Sequence, residues 1–419
     1  MRRLRELLLS RGSRDYVLTT GTRFGVLGLT LLSNIVITRT VGAEGRGLYA
    51  LVNNTILLGA LVAGLGSDEA VAYFVARDKD LRSRTVGNAL LIGLSGALVL
   101  TLLGVVFRGA LPGVLRGLPS TAIMIAALAL MPTVAARIFR TNLQGVRDFK
   151  SYNISLAARP ALILIYCSGG LLMLQLGQRG IPIILLLVAV SELAVSGSLA
   201  RRHVRPRLRT SVERMKSLMS YGLRAQANVI LQFVSIRAGI FLLGYFRSPE
   251  DVGVYSVAAA LAEIQLYLPS AVGWVWMPKV ASQPFKHSVD GTRQLIIKVL
   301  PMLFLTAVLL ALAGSWLLPA AFGTKFADSY VPMLILLPGC TLLGLATIMF
   351  RFFAGIGKPH LTTFVSLGGL AAIAVTQVLL IPAWGANGAA AGSCLGYVCV
   401  FAAAAVVFMK TSRNVRTRD

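Results

Sequence analysis

The chain has 419 residues, of which 56% are hydrophobic and only 14% charged, and its mean hydropathy is +0.75. That composition excludes a set of soluble domains and is typical of a membrane protein. The formal net charge of +25 would indicate nucleic-acid binding in a soluble protein. In a membrane protein it is the ordinary topology signal of Lys and Arg in cytoplasmic loops, so we expect no nucleic-acid partner.

Apolar stretches long enough to cross a bilayer fill nearly the whole sequence. A hydrocarbon core about 30 Å thick needs about 20 apolar residues per helix. The pattern predicts twelve such stretches, at residues 17–38, 48–76, 85–107, 121–143, 152–174, 181–200, 218–246, 252–278, 295–318, 332–356, 362–381 and 388–409. The predicted fold class is therefore an all-α polytopic membrane protein.

The basic residues predict the orientation of these spans. They are dense before the first span, at residues 77–84, at 201–216 and after the last span, and sparse in the alternate connections. Both termini are therefore expected in the cytoplasm. The leucines Leu4, Leu7 and Leu8 stand among arginines, which predicts a short amphipathic segment on the membrane surface.

The two halves of the sequence resemble each other. Glu44-x-x-Gly47-x-Tyr49 follows the first span, and the same pattern returns half a chain later as Glu250-x-x-Gly253-x-Tyr255. A weaker echo pairs residues 143–147 with residues 354–358. We therefore expect two six-helix bundles, residues 1–200 and 218–419, joined by a cytoplasmic linker at 201–217. Repeats of this kind predict a substrate site at their interface and alternating access.

Ionisable side chains inside the predicted spans are the candidate site residues, because each costs about 2.5 to 3.5 kcal/mol to insert. Helical periodicity places Asn34 on the face of Arg23, and Asn228 and Gln232 on the face of Arg224. Arg137, Arg140 and Arg351 lie near span ends, where snorkelling to headgroups is an equal alternative. The candidate substrate-binding residues are Arg23, Asn34, Arg159, Arg224, Asn228, Gln232 and Arg237.

Several arginines facing one wet space suit a phosphate, because guanidinium groups bind phosphate oxygens with bidentate, charge-assisted hydrogen bonds. A lipid-linked sugar carries such a phosphate at headgroup depth, whereas a cationic drug would be repelled. The acidic residues Asp68, Glu69 and Glu263 are candidates for ion coupling, and Glu263 could equally pair with an arginine. Neither the cysteines nor the histidines have metal-ligand spacing, so no cofactor or metal is expected. The chain lacks an outer loop long enough for a catalytic domain, which argues against an enzyme.

Short motifs in a fixed order resemble the Wzx-type oligosaccharide flippases, which share the MOP superfamily with MurJ and the MATE drug exporters. The resemblance rests on residues 42–49, Leu65-Gly-Ser, Asn142-Leu-Gln-Gly, Gly253-Val-Tyr-Ser-Val-Ala-Ala, Pro278-Lys and Gly385-Ala-Asn-Gly-Ala-Ala. It implies twelve helices and export of an undecaprenyl-(pyro)phosphate-linked oligosaccharide from the cytoplasmic to the outer leaflet. It also implies that Arg23, Arg224 and Arg237 meet the substrate phosphate.

The same resemblance implies a place in the cell and a set of partners. The expected location is the bacterial inner membrane, in O-antigen, capsule or exopolysaccharide assembly. The expected partners are the lipid-linked oligosaccharide, membrane lipids, and a polysaccharide polymerase with its chain-length regulator. The alternatives within the superfamily are a lipid II flippase and a cation-coupled multidrug exporter.

Overall fold

The computed structural model describes residues 11–107, 118–207 and 212–416, and every regular element in these ranges is helical. The amphipathic segment predicted around Leu4, Leu7 and Leu8 lies outside the described residues. The helices are α1 Arg11–Gly64, α2 Ser67–Arg77, α3 Arg82–Val106, α4 Ser120–Leu128, α5 Leu130–Gly145, α6 Phe149–Cys167, α7 Gly180–Ala200, α8 Val212–Phe246, α9 Pro249–Ala262, α10 Tyr267–Ser282, α11 Phe285–Phe322, α12 Tyr330–Gly355 and α13 Pro359–Arg416. A π-helical turn, Ser168–Met173, follows α6, and 3-10 turns Glu263–Leu266 and Thr324–Ser329 precede α10 and α12.

Ten helices in the described ranges are long and apolar enough to cross a membrane. Two of them are far longer than a bilayer requires, and each contains one residue with non-helical dihedrals, Gly42 in α1 (φ 68°) and Gly385 in α13 (φ 53°). Glycine tolerates this positive φ because it lacks a Cβ atom. Each long helix therefore comprises two consecutive apolar segments. The ten helices account for the twelve predicted spans, except that the second span, 48–76, is divided at Leu65–Gly66 and its last part lies in α2. The all-α, multi-span fold class is confirmed.

The internal echo of the sequence corresponds to repeated local structure. Helices α5 and α12 end in equivalent hydrogen bonds. Asp148 N–H donates to Leu143 O at 3.0 Å at the end of α5, and Lys358 N–H donates to Phe353 O at 2.9 Å at the end of α12. The residue before each donor is left-handed, Arg147 in one copy and the glycine at 357 in the other. This is the Schellman ending, which satisfies the last carbonyls of a helix.

The chain forms two compact units. The first contains Met1–Val41 and Leu48–Ile230, and the second contains Gly42–Gly47 and Leu231–Asp419. These units are defined by contacts, whereas the division into 1–200, 201–217 and 218–419 comes from sequence similarity and stays a prediction. The two partitions differ because Gly222 of α8 packs on Gly66, and because residues 42–47 pack on the start of α9. Helix α8 also begins at Val212, inside the predicted linker.

Each unit has its own apolar core with an equivalent close contact. In the first unit, the glycine that ends α5, Gly145, packs against Val75 of α2 in a cluster that includes Val86, Val134 and Ile138. In the second unit, the glycine that ends α12, Gly355, packs against Val280 of α10. A Cβ atom at either glycine would lie closer to the valine than normal packing allows. The repeated glycine is therefore required by helix packing in both copies.

The two Glu-x-x-Gly-x-Tyr motifs also meet within the second unit. A Cβ atom added at Gly47 would overlap the carbonyl of Pro249, and one added at Gly253 would overlap the carbonyl of Ala43. The two backbones approach so closely that only hydrogen fits at both positions. The Gly of each motif is thus needed for packing against the other copy.

Candidate functional site

Three arginines and two carboxylates form a buried network in the first unit, which we call the first-unit charge cluster: Asp68, Arg137, Arg140, Arg159 and Glu192. Glu192 on α7 is its centre, with only 2% of its side chain exposed. Arg140 of α5 donates to Glu192 Oε1 at 2.8 Å, and Arg159 of α6 donates to Oε2 at 2.9 Å. One carboxylate therefore joins three helices.

The same cluster reaches two further helices. Arg159 also donates to Asn53 Oδ1 on α1 at 3.0 Å. Arg137 lies one turn before Arg140 on the same face of α5, and it pairs with Asp68 at 2.5 Å. Asp68 is the second residue of α2, which starts after a break where Leu65 and Gly66 both have positive φ. The break lets a carboxylate at a helix N-terminus meet the α5 arginine.

Carboxylates offset most of the positive charge of this cluster. Asp68 and Glu192 pair with the three arginines, and Glu69, half-buried beside Asp68, also acts electrostatically on Arg137. Buried arginines without partners would be strongly unfavourable, and pairing removes that cost. Arg137 and Arg140 are therefore anchored inside the unit, and the alternative that they snorkel to headgroups is wrong. Each guanidinium has five N–H donors, so Arg140 and Arg159 keep unused donors although both are paired.

The predicted site residues Arg237 and Glu263 pair with each other in the second unit. The two side chains form a fork, with Nη1 to Oε1 at 2.6 Å and Nη2 to Oε2 at 2.9 Å. Of the two roles considered for Glu263, pairing with an arginine is the one that this geometry displays. Arg351, in the same unit, lies over the Trp274 ring at 4.1 Å, a cation–π contact.

The remaining predicted residues lie along α1 and α8. Arg23 is half-buried and Asn34 is buried, both on α1. On α8, Asn228 and Gln232 are half-buried. The side-chain amide oxygen of Asn228, Oδ1, is buried and accepts no hydrogen bond from the described part of the chain. Arg224 is exposed, and its guanidinium donates to the neutral Ser220 hydroxyl at 3.2 Å.

Arg224 belongs to a surface patch that sequence reasoning missed, the aromatic-basic patch of Tyr73, Arg77, Tyr221 and Arg224. Helices α2 and α8 cross here, and the rings of Tyr73 and Tyr221 stack with centroids 4.6 Å apart. Arg77 donates to the Tyr73 hydroxyl at 3.1 Å, and Arg224 lies one turn from Tyr221 on α8. Both arginines are exposed and have hydroxyl rather than carboxylate partners. This patch can accept an anion without first breaking an ion pair.

One further charged pair lies outside the spans. His203 is an exposed loop residue, and its Nε2 lies 2.8 Å from Asp148 Oδ2. Partial burial raises the pKa of Asp148, but hydrogen bonds from Ser151 and the contact with His203 outweigh it and hold that pKa below its usual value. The pair ties the loop before α6 to the segment after α7.

The fold is similar to those of several solved membrane transporters. The chain aligns with the lipid II flippase MurJ in an inward closed conformation, at a TM-score of 0.79 and 10% identity, over 93% of this chain and 86% of that one. It also aligns with an inward-facing multidrug resistance MATE family transporter of the MOP superfamily, at a TM-score of 0.69 and 17% identity, over 95% and 98% of the two chains. The fold is thus that of MurJ and of the MATE transporters.

The sequence comparisons narrow this class. A sequence profile of the polysaccharide biosynthesis protein family matches residues 14–283. An uncharacterised membrane protein of Methanocaldococcus jannaschii, MJ1068, is 24% identical over 222 residues, which are 51% of this chain and 44% of that protein. The chain therefore spans less than half the length of that relative in the alignment. It belongs to the polysaccharide biosynthesis protein family.

Proposed function

We propose that the protein is a flippase that moves an undecaprenyl-(pyro)phosphate-linked oligosaccharide from the cytoplasmic to the outer leaflet by alternating access. The observation that carries the proposal is the match of the chain to the polysaccharide biosynthesis protein family on the fold of a lipid flippase. A Wzx-type flippase would account for both the family and the fold, because a glycan assembled on a lipid in the cytoplasm must cross the membrane. The proposed setting is the bacterial inner membrane, with both termini in the cytoplasm.

The aromatic-basic patch supports a first binding step. Arg77 and Arg224 are exposed, and each gives up only a hydroxyl partner when a phosphate approaches. Guanidinium groups bind phosphate oxygens with two parallel hydrogen bonds, and the stacked Tyr73 and Tyr221 rings offer an apolar face beside them. A pyrophosphate held here would leave its prenyl chain in the lipid, which is how a flippase handles such a molecule.

The first-unit charge cluster supports a second step. Arg140 and Arg159 share the Glu192 carboxylate. Each can turn an unused N–H toward a phosphate while Glu192 stays paired with the other arginine. Pairing with carboxylates also lowers the cost of the buried arginine charges when no substrate is present. We expect Arg159 to bind substrate in exchange for its bond to Asn53, and Asp68 and Glu69 to set the charge balance during that exchange.

Complementation of a deletion strain tests the proposal. We expect Arg224→Ala and Arg159→Ala to abolish or strongly reduce surface glycan, because each removes a phosphate-binding group. Arg179→Ala is the matched control, since Arg179 is an exposed arginine outside both the patch and the cluster. Protein abundance in the membrane is measured in parallel. Normal glycan in both variants would overturn the proposal.

A lipid II flippase is the second candidate, favoured by the higher structural similarity to MurJ than to the MATE transporter. Rescue of cells depleted of their own lipid II flippase, without any effect on surface polysaccharide, would establish it. A cation-coupled drug exporter would instead change drug sensitivity while surface glycan stays normal. The polysaccharide polymerase and chain-length regulator remain proposed partners, to be tested by co-purification.

A further inference from the structure

A polar cleft opens at one end of the second unit and includes none of the residues proposed above. Its volume is about 550 Å³. Three separate parts of the chain line it: the start of α9, the 3-10 turn before α12 and the break in α13. Their principal side chains are Arg247, Glu250, Asp251, Lys325, Asp328 and Trp384. We call it the α9–α13 cleft.

The charged side chains of this cleft are held apart rather than paired. Two cations and three carboxylates line it, yet no salt bridge in the described part of the chain joins any of them. Arg247 is held by main-chain carbonyls, donating to Pro382 O at 2.7 Å and to Ile381 O at 3.3 Å. Asp251 is held at the start of α9, where the Ser248 hydroxyl donates to its carboxylate at 3.1 Å. The opposite charges within the helical bundles, such as Glu192 with Arg159 and Glu263 with Arg237, are paired, whereas those that line this cleft are available to a ligand.

The walls of the cleft are rigid. The 3-10 turn that carries Asp328 is anchored by the buried Phe326 ring and by Ser329, whose hydroxyl donates to Val254 O at 2.9 Å. In the third wall, Gly385 is left-handed, and a Cβ atom there would lie 3.5 Å from Asp251 Oδ1. Arg247, Asp251 and the 3-10 turn are therefore held in place before any ligand binds, which lowers the entropic cost of binding.

An aromatic face stands beside these polar groups. Trp384 is 61% exposed although it lies in a cleft, and Asn387 adds an amide with both a donor and an acceptor. A sugar has the matching chemistry, because its hydroxyls donate and accept hydrogen bonds and its C–H face packs on an indole ring. A polyanion would meet three carboxylates, and a bare cation would meet Arg247 and Lys325. The chemistry favours a neutral, polyhydroxylated ligand.

We propose that the α9–α13 cleft binds the saccharide head of the transported glycan. That the saccharide belongs to the transported glycan rests on the proposed function. That the ligand is a saccharide rests on the side chains of the cleft. In the predicted orientation the cleft faces the outer side, because it is built at the connections after the seventh, ninth and eleventh predicted spans. It would then hold the sugar as it leaves the transporter and oppose its return.

The test is calorimetric titration of the full chain in detergent with the oligosaccharide released by mild acid from the polyprenyl-pyrophosphate-linked glycan of the source cells. This probe carries neither lipid nor phosphate, so the arginines of the first unit should not retain it. We expect saturable binding that weakens about tenfold or more in Trp384→Ala, as for an aromatic at the centre of a binding site. Asp328→Asn should weaken it as well, and Trp384→Phe should restore it.

Trp316→Ala is the matched control, because Trp316 is 73% exposed on α11 and lies outside the cleft. Its affinity should equal that of the unmodified chain. Absence of binding, or equal binding by Trp384→Ala, would overturn the inference. So would cleft-dependent binding of phosphocholine or Ca²⁺ in place of the saccharide.

Complementation separates the two proposals. If the unmodified chain restores surface glycan but binds no saccharide in the cleft, this inference fails and the flippase stands. If the saccharide binds and depends on Trp384, but the chain restores no glycan, the flippase proposal fails and the cleft remains a saccharide site.

Discussion

Replacing Glu192 by glutamine tests the first-unit charge cluster. Glu192 is nearly fully buried and satisfies two guanidinium groups, at 2.8 and 2.9 Å. Removing one partner of a buried ion pair costs about 3 to 5 kcal/mol. Arg140 and Arg159 remain slightly exposed and the glutamine oxygen can accept one bond, so we expect the free energy of unfolding to fall by about 3 kcal/mol.

Arg140→Gln should cost less. Glu192 would keep Arg159, so only one charge-assisted hydrogen bond is lost, worth about 1.5 kcal/mol. Both variants can be compared by circular dichroism during unfolding in mixed micelles of dodecyl maltoside and sodium dodecyl sulfate. Glu213→Gln is the control, since Glu213 is an exposed carboxylate near the start of α8. A loss in Glu192→Gln no larger than in Glu213→Gln, or a larger loss in Arg140→Gln, would refute the network.

Three further predictions concern the repeated features and the loop pair, with stability measured in the same micelles. Gly253→Ala should lower the free energy of unfolding by about 1 to 3 kcal/mol through overlap with the Ala43 carbonyl, whereas Gly368→Ala, where no atom lies within 4 Å, should cause no loss. Arg147→Gly should raise it by about 1 kcal/mol by relieving a left-handed φ of 62°, and Gly357→Ala should lower it by a similar amount; the opposite signs would contradict the shared helix ending. The pKa of Asp148 is lowered in the folded chain, so its contribution is present above its unfolded pKa of about 3.9 and is lost as pH falls through the lower folded pKa. The stability difference between the parent and Asp148→Asn should therefore shrink below about pH 4, and a pH-independent difference would contradict this linkage.

The helical spans were predictable because membrane insertion depends on a local property, about 20 consecutive apolar residues. The repeat was predictable for a similar reason, since Glu-x-x-Gly-x-Tyr is a short string. The breaks were not all visible. The connections expected around Gly42 and Gly385 are single non-helical residues within long helices, and the break at Leu65–Gly66 divides a predicted span.

The candidate charges were predictable, but their partners were not. The sequence indicated Arg159 and Arg237 because an ionisable side chain in a membrane span is costly to insert and is therefore a candidate functional residue. It could not tell that Arg159 meets Glu192 and Asn53, which lie on other helices far along the chain. The sequence predicted arginines that face an open space, but in the structure Arg159 and Arg237 are paired with carboxylates. The exposed arginines with hydroxyl partners are instead those of the patch around Arg224. The choice of partner depends on how the helices pack, and this packing cannot be read from the pattern of a single sequence.

The α9–α13 cleft illustrates the same limit. Its residues come from three predicted outer connections, each short and unremarkable alone. In the sequence, Gly385-Ala-Asn-Gly contributed only to the family resemblance, and no function was predicted for the preceding Trp384. Only the folded second unit brings that tryptophan together with Asp328 and Arg247.

The most direct test of the central claim is translocation by the purified protein in proteoliposomes. The vesicles would carry undecaprenyl-pyrophosphate-linked oligosaccharide from the source cells, and a lectin that cannot cross the bilayer would report the sugar that reaches the opposite leaflet. We predict transfer well above that of protein-free vesicles, reduced to that background by Arg224→Ala and unchanged by Arg179→Ala. Transfer equal to the protein-free background, together with uptake of a cationic drug by the same vesicles, would contradict the account.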